Sequence, residues 1–177
     1  MTKPTASPPS PLLRAADQAA LPETSFSHPL NPHSQLHLRS LADGVGLQRL
    51  GLNLIRVPPG KESFVYHAHH CEEEFIYILS GRGVADIDGV HHEVGPGDFM
   101  GFPTPSVGHH LRNPYSEELV YLSGGERREM EIADFPRHGK RLVRVGMAAA
   151  IHSLADVELF PGLKALHVAG SRSHEPG

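Results

Sequence analysis

The chain has 177 residues, which suffices for one ordinary domain with a sizeable apolar interior. A formal net charge of -4, with dispersed lysines and arginines, argues against nucleic acid as a partner, and no apolar run approaches the ~20 residues of a membrane span. Cys71 is the only cysteine, so an intramolecular disulfide and a cysteine metal cage are excluded.

Residues 1–35 are predicted to form a flexible arm. Seven of the sixteen prolines lie in this segment, which has few aromatic residues and one short helical pattern over residues 12–20. It lacks the continuous apolar stretch of a secretory signal, so we expect a cytoplasmic protein.

Residues 36–150 are predicted to form an all-β barrel. Short strand-like segments recur at regular spacing and are separated by strong turn signals, among them Asp88-Gly89, which suits a two-residue type I′ hairpin. A sheet of this size avoids exposed edges by closing into a barrel or jelly roll. Beyond the central strands, residues 141–146 read as a strand, residues 147–154 as a short helix, and residues 151–177 as a C-terminal extension.

Histidines and a glutamate form a candidate metal site. Side chains alternate between the two faces of a strand, so His67 and His69 point the same way. A turn after His69 would bring Glu74 alongside, and His109 would complete the set from a distant strand. Three imidazoles and one carboxylate suit Fe, Mn, Ni, Co, Cu or Zn rather than Ca or Mg. We therefore expect one divalent transition metal per chain.

Over residues 47–122 the chain resembles the cupins. Both motifs of that superfamily are present in order, at Gly60, His67, His69, Glu74 and Gly81, and then at Gly97, Pro103, His109 and Asn113. The resemblance implies a single-domain jelly-roll barrel, also called a double-stranded β-helix, and a homodimer. More narrowly, the chain resembles small bacterial cupins of largely unassigned chemistry.

The spacing of the cupin motifs favours particular ligands. Six residues separate Glu74 from Gly81, as in the family, which favours Glu74 over Glu72 and Glu73. The second motif has one inserted residue before His109, which leaves His110 as the alternative ligand. Only one of two adjacent strand residues can point inward. The number of residues from His109 to Asn113 matches the cupin pattern, which favours His109 as the ligand.

The resemblance implies an enzyme of the dioxygenase, isomerase or lyase type that acts on a small molecule in the barrel. The alternative is a non-catalytic protein that binds a small molecule or a metal. Arg56 could hold an anionic substrate if it faced the barrel interior, and would otherwise be a surface residue. No catalytic residue is identified.

Overall fold

The computed structural model describes residues 10–156, which form antiparallel sheets with little helix. The helices are α1 (Ala15–Ala20) and α2 (Leu41–Gly44). The strands are β1 (Thr24–Phe26), β2 (Leu36–Ser40), β3 (Leu50–Val57), β4 (Ala68–His69), β5 (Glu74–Ser80), β6 (Gly83–Ile87), β7 (Val90–Val94), β8 (Phe99–Phe102), β9 (His109–Arg112), β10 (Leu119–Glu126), β11 (Met130–Phe135), β12 (Lys140–Val145) and β13 (Ala148–Ser153).

Two walls of strands enclose the core. One wall is a six-stranded sheet with the order β1-β2-β3-β10-β5-β8. The other consists of the sheets β13-β12-β11-β4 and β7-β6-β9, which a bridge between His67 and His109 joins. The buried apolar side chains from both walls pack together, and Tyr121, Ile55, Ile78 and Leu111 are almost fully buried among them. This arrangement confirms the predicted all-β barrel.

Alternation along the strands decides which side chains reach the core. In β5, Ile76 and Ile78 are buried while Tyr77 and Leu79 are exposed. In β9, His109 and Leu111 are buried, whereas His110 and Arg112 are partly exposed. The period of two that the sequence predicts is therefore present in the strands that carry the candidate ligands.

The hairpin between β6 and β7 has the predicted turn. Ile87 pairs with Val90, and the two residues between them have positive φ angles, 51° at Asp88 and 79° at Gly89. A type I′ turn needs positive φ at both central positions, which aspartate tolerates and glycine adopts freely.

Residues 24–34 are packed against the barrel, which differs from the flexible arm predicted for this part of the chain. The strand β1 pairs with β2, and Asn31 and Ser34 are buried. The Asn31 amide donates hydrogen bonds to Glu62 Oε2 at 2.9 Å and to the carbonyl of Phe64 at 2.8 Å. These contacts join residues about thirty positions apart, so local composition gave no sign of them.

The chain after residue 146 also differs from its prediction. The expected helix over residues 147–154 is instead β13, which pairs with β12 along its whole length, followed by a 3-10 turn (Leu154–Asp156). Pairing with a long neighbouring strand overrides the helical preference of the alanines. The rest of the predicted C-terminal extension, residues 157–177, lies outside the described residues.

Among residues 10–156, no helix has the length and apolar character needed to cross a bilayer. The expected cytoplasmic location and homodimer stay predictions.

Replacing Asn31 should destabilise the protein. Asn31→Ala removes three side-chain hydrogen bonds and leaves two partly buried acceptors and the backbone N–H of His33 without a partner, which should cost about 1–3 kcal/mol of unfolding free energy. Denaturant titration measures the loss. The control is Gln48→Ala, an exposed amide with one local contact, which should change stability by less than ~0.5 kcal/mol. Equal stability of the two variants would show that residues 24–34 do not support the barrel.

Candidate metal centre

The four predicted ligands come together at one point in the barrel. Glu74 Oε2 lies 3.0 Å from His109 Nε2, 3.2 Å from His69 Nε2 and 3.8 Å from His67 Nε2. All four ligand atoms lie within 4.8 Å of one another. Each imidazole thus presents the same ring nitrogen to one carboxylate oxygen.

The two walls of the barrel each supply part of this group. His69 ends β4 and His67 directly precedes that strand, in a segment that lies between β11 and β9. His109 begins β9. Glu74 begins β5 on the facing six-stranded sheet, where its neighbours in register are Phe102 and Gly125. The site therefore forms only where the two walls are brought together.

This group fits a divalent transition metal. Ligand atoms that surround one ion at about 2.1 Å lie roughly 3–4 Å apart, close to the separations found here. Three neutral imidazoles and a carboxylate match the donor set of Fe, Mn, Ni, Co, Cu or Zn. The four residues could hold one such ion.

The electrostatics keep the carboxylate charged. Burial alone would raise the pKa of Glu74, but the neighbouring imidazoles of His109, His67 and His69 outweigh burial and hold that pKa well below its ordinary value. Burial lowers the pKa of His67. Burial also opposes the charged form of His69, yet the carboxylates of Glu74 and Glu131 outweigh it and raise the pKa of that imidazole.

Packing around the ligands leaves little space inside the barrel. The ring of Phe102 stacks on His109 with centroids 3.7 Å apart and planes 10° apart, and Ser123 Oγ donates a 3.0 Å hydrogen bond to Glu74 Oε1. The cavity between the ligands and Tyr121 has a volume of only about 10 Å³, roughly enough for one water molecule. A substrate therefore has no room behind the ligands.

An open cavity of about 300 Å³ lies on the other side of the ligands, at the mouth of the barrel. Its lining surface is mainly apolar but carries several carboxylates, and its polar lining residues other than Glu74 are His67, His69, Asn53, Glu72, Glu73, Ser123 and Glu126. Arg144 pairs with Glu72, and Arg128 pairs with Glu126. Among the described residues, no hydrogen-bond partner contacts the carboxylate of Glu73, which is exposed.

The structure decides the alternatives that the motif left open. His109 points inward and is 2% exposed, whereas His110 lies on the opposite face with Nε2 3.6 Å from Glu62 Oε2. Burial lowers the pKa of His110 to about 4. Arg56 does not face the interior: it forms ion pairs with Glu23 and Glu118. The predicted inward face of β9 is confirmed, and of the two alternatives for Arg56 the structure shows the surface residue.

Three contacts of the site were not foreseen. Ser123 and Phe102 were visible only as ordinary strand residues, and the alternation of their strands could have placed them on the inner face. Glu131 contacts His69 from 62 residues away. No local pattern in the sequence points to that contact.

Comparisons with known proteins agree with this architecture. Residues 53–124 match the family model of the cupin domain. A crystal structure of a candidate sugar phosphate isomerase from Acidithiobacillus ferrooxidans is 38% identical, with a TM-score of 0.81, over 84% of this chain and 96% of that one. A sugar phosphate isomerase of the cupin superfamily from Silicibacter pomeroyi is 24% identical, with a TM-score of 0.73, over 81% and 94% of the two chains, which shows a shared fold.

A curated relative matches a shorter stretch. Over 57 residues the chain is 39% identical to an uncharacterized protein of Methanocaldococcus jannaschii. The match covers 32% of this chain and 44% of that protein, so the chain spans less than half the length of that relative.

Substitution of the two adjacent histidines should separate a ligand from its neighbour. His109→Ala removes an imidazole aimed at Glu74 and should lose metal on dialysis, whereas His110→Ala should retain it, because His110 faces Glu62. Metal content after dialysis against buffer gives the answer, with circular dichroism to confirm that both variants are folded. Metal loss from His110→Ala alone would mean that the register of β9 is wrong by one residue.

Acid should remove the stabilising contribution of Glu74 from the metal-free protein. Because the pKa of Glu74 is lower in the folded chain, the unfolded chain binds the proton first as the pH falls below 4.5. The stability advantage of the wild type over Glu74→Gln should therefore shrink as the pH falls from about 5 toward the lower pKa of the folded chain, measured by denaturant titration with a chelator present. An advantage that grows below about pH 5 would contradict this assignment.

Proposed function

The chain belongs to the cupin superfamily, and from that premise we propose that it is a metal-dependent isomerase acting on a small hydroxylated carbonyl compound, of which sugar phosphates are the first to test. His67, His69, Glu74 and His109 would hold one divalent transition metal. The substrate would bind at the mouth of the barrel.

The observation that carries this proposal is the position of the four ligand atoms beside an open cavity. The ligands converge within 4.8 Å, and three of them also line the cavity of about 300 Å³. A site closed on all sides would instead suit a structural metal. The nearly filled space behind the ligands directs any substrate to the mouth.

A divalent metal held by these residues would polarise the carbonyl oxygen of a bound substrate as a Lewis acid. The chain itself must then move a proton. Glu73 is the cavity carboxylate best suited to this, because Arg144 and Arg128 engage Glu72 and Glu126. Its carboxylate would take the proton from the hydroxyl-bearing carbon next to the carbonyl and return it to the carbonyl carbon, while the proton of that hydroxyl group passes to the former carbonyl oxygen.

Two neutral polar side chains of the cavity could bind the hydroxyl groups of the substrate. Asn53 and Ser123 offer hydrogen-bonding groups at the cavity wall. The class of reaction and the sugar phosphate are suggested by the name of the relative from Acidithiobacillus ferrooxidans, which is 38% identical over nearly its whole length. No arginine or lysine lines this cavity, so free sugars belong in the same test.

The test is proton exchange at the substrate carbon. The protein is loaded with Mn, Fe, Ni or Zn and incubated in D₂O with aldose and ketose phosphates and the corresponding free sugars, and proton NMR follows the hydrogen next to the carbonyl. We expect exchange with the loaded wild type and none after chelation. Glu73→Gln should keep its metal and slow exchange by at least ~100-fold.

The matched control is Glu117→Gln, an exposed glutamate in the loop after β9 that does not line the cavity. It should exchange at the wild-type rate. A loaded wild type that binds these compounds without exchange would contradict the enzyme and favour a non-catalytic binding protein. A protein that takes up no metal would overturn the proposal altogether.

A further inference from the structure

Each of the three candidate ligand histidines is anchored through its other ring nitrogen. His67 Nδ1 lies 2.7 Å from the carbonyl oxygen of Val65, and His109 Nδ1 lies 3.1 Å from the carbonyl oxygen of Val107. A carbonyl only accepts, so each of these imidazoles carries a hydrogen on Nδ1, and Nε2 is the nitrogen that faces Glu74 and could bind a metal. Two of the three rings are thus oriented by the backbone carbonyl two residues before them.

His69 is anchored differently, by a side chain. Its Nδ1 lies 3.3 Å from Oε1 of Glu131, which stands on the neighbouring strand β11. Oε1 also accepts a 3.2 Å hydrogen bond from the backbone N–H of His70. The tautomer of His69 therefore depends on an acceptor that a single substitution can remove.

The burial of Glu131 makes a purely structural role a poor explanation. The residue is 3% exposed, and its Oε2 is buried without a hydrogen-bond partner among the described residues. A buried carboxyl oxygen without a partner is costly, and a glutamine or apolar side chain would fill this position at lower cost to the fold. Compared with those side chains, the carboxylate adds a charged hydrogen-bond acceptor for His69.

We infer that Glu131 is a positioning residue, which holds His69 with its hydrogen on Nδ1 and turns Nε2 toward the metal. The inference rests on the metal centre of the proposed function. A carboxylate behind a metal-bound imidazole orients the ring and makes the ligand nitrogen more basic. Of the three histidines, His69 would therefore be the ligand whose strength the protein adjusts by a side chain.

The first measurement needs no metal. Nitrogen NMR of ¹⁵N-histidine-labelled, metal-free protein reports which ring nitrogens of His69 carry a hydrogen. The wild type should show a hydrogen on Nδ1. In Glu131→Met, which removes the acceptor with little change in volume, His69 should shift toward the form with a hydrogen on Nε2 alone, facing Glu74, while His67 and His109 keep a hydrogen on Nδ1.

The second measurement is zinc affinity, by competition with a chromophoric chelator. Glu131→Met should bind zinc about 10–100-fold more weakly than the wild type. Glu131→Gln keeps a neutral acceptor, so it should preserve the tautomer and lose less affinity. The matched control is Asp134→Asn on the same strand, whose carboxylate contacts His70 and Arg141 but no ligand. It should leave both measurements at the wild-type values.

The outcomes separate the two proposals. A wild-type His69 without a hydrogen on Nδ1, or zinc affinity of Glu131→Met within about twofold of wild type, would overturn the role of Glu131 and leave the metal centre standing. A wild type that binds no zinc would overturn the metal centre, and with it this inference. If Glu131→Met does not fold, Glu131→Gln is the deciding variant. If it has the zinc affinity and the His69 tautomer of the wild type, the charge of the Glu131 carboxylate has no positioning role.

Discussion

The contact between Glu74 and three imidazoles across the barrel interior is the interaction on which this structure depends. A buried carboxylate is stable only when paired, and here the partners come from the opposite wall. Since Glu74 is in register with Phe102 and Gly125, a slip of β5 by one residue would turn it outward and leave the imidazoles without a counter-charge. The same contact therefore specifies strand register, wall-to-wall packing and the candidate metal site.

The distribution of space around that contact favours chemistry at the mouth of the barrel. Phe102 covers one side of His109, and almost no volume is left between the ligands and Tyr121. The open cavity carries several glutamates, but Arg128 and Arg144 form ion pairs with two of them, Glu126 and Glu72. Glu73 is thus distinguished by the lack of a partner among the described residues, although it stands between Glu72 and Glu74 in the sequence.

Much of the candidate site could be predicted because its signals are local. The alternation of side chains places His67 and His69 on one face and separates His109 from His110, whatever the rest of the chain does. The spacing of Glu74 to Gly81 selected one of three adjacent glutamates through the resemblance to cupins. The contact of Glu131 with His69 was not predictable in this way, since it joins β4 to β11, and no periodicity records which strands become neighbours.

The sequence by itself determined the all-β class, the turn at Asp88-Gly89 and the face on which each ligand lies. These features follow from backbone sterics and a period of two, which act over a few residues. Only the tertiary structure decided that residues 24–34 pack on the barrel, that residues 148–153 form a strand rather than a helix, and that Arg56 pairs with Glu23 and Glu118. Those outcomes depend on partners far away in the chain, and burial against such partners outweighs local preference.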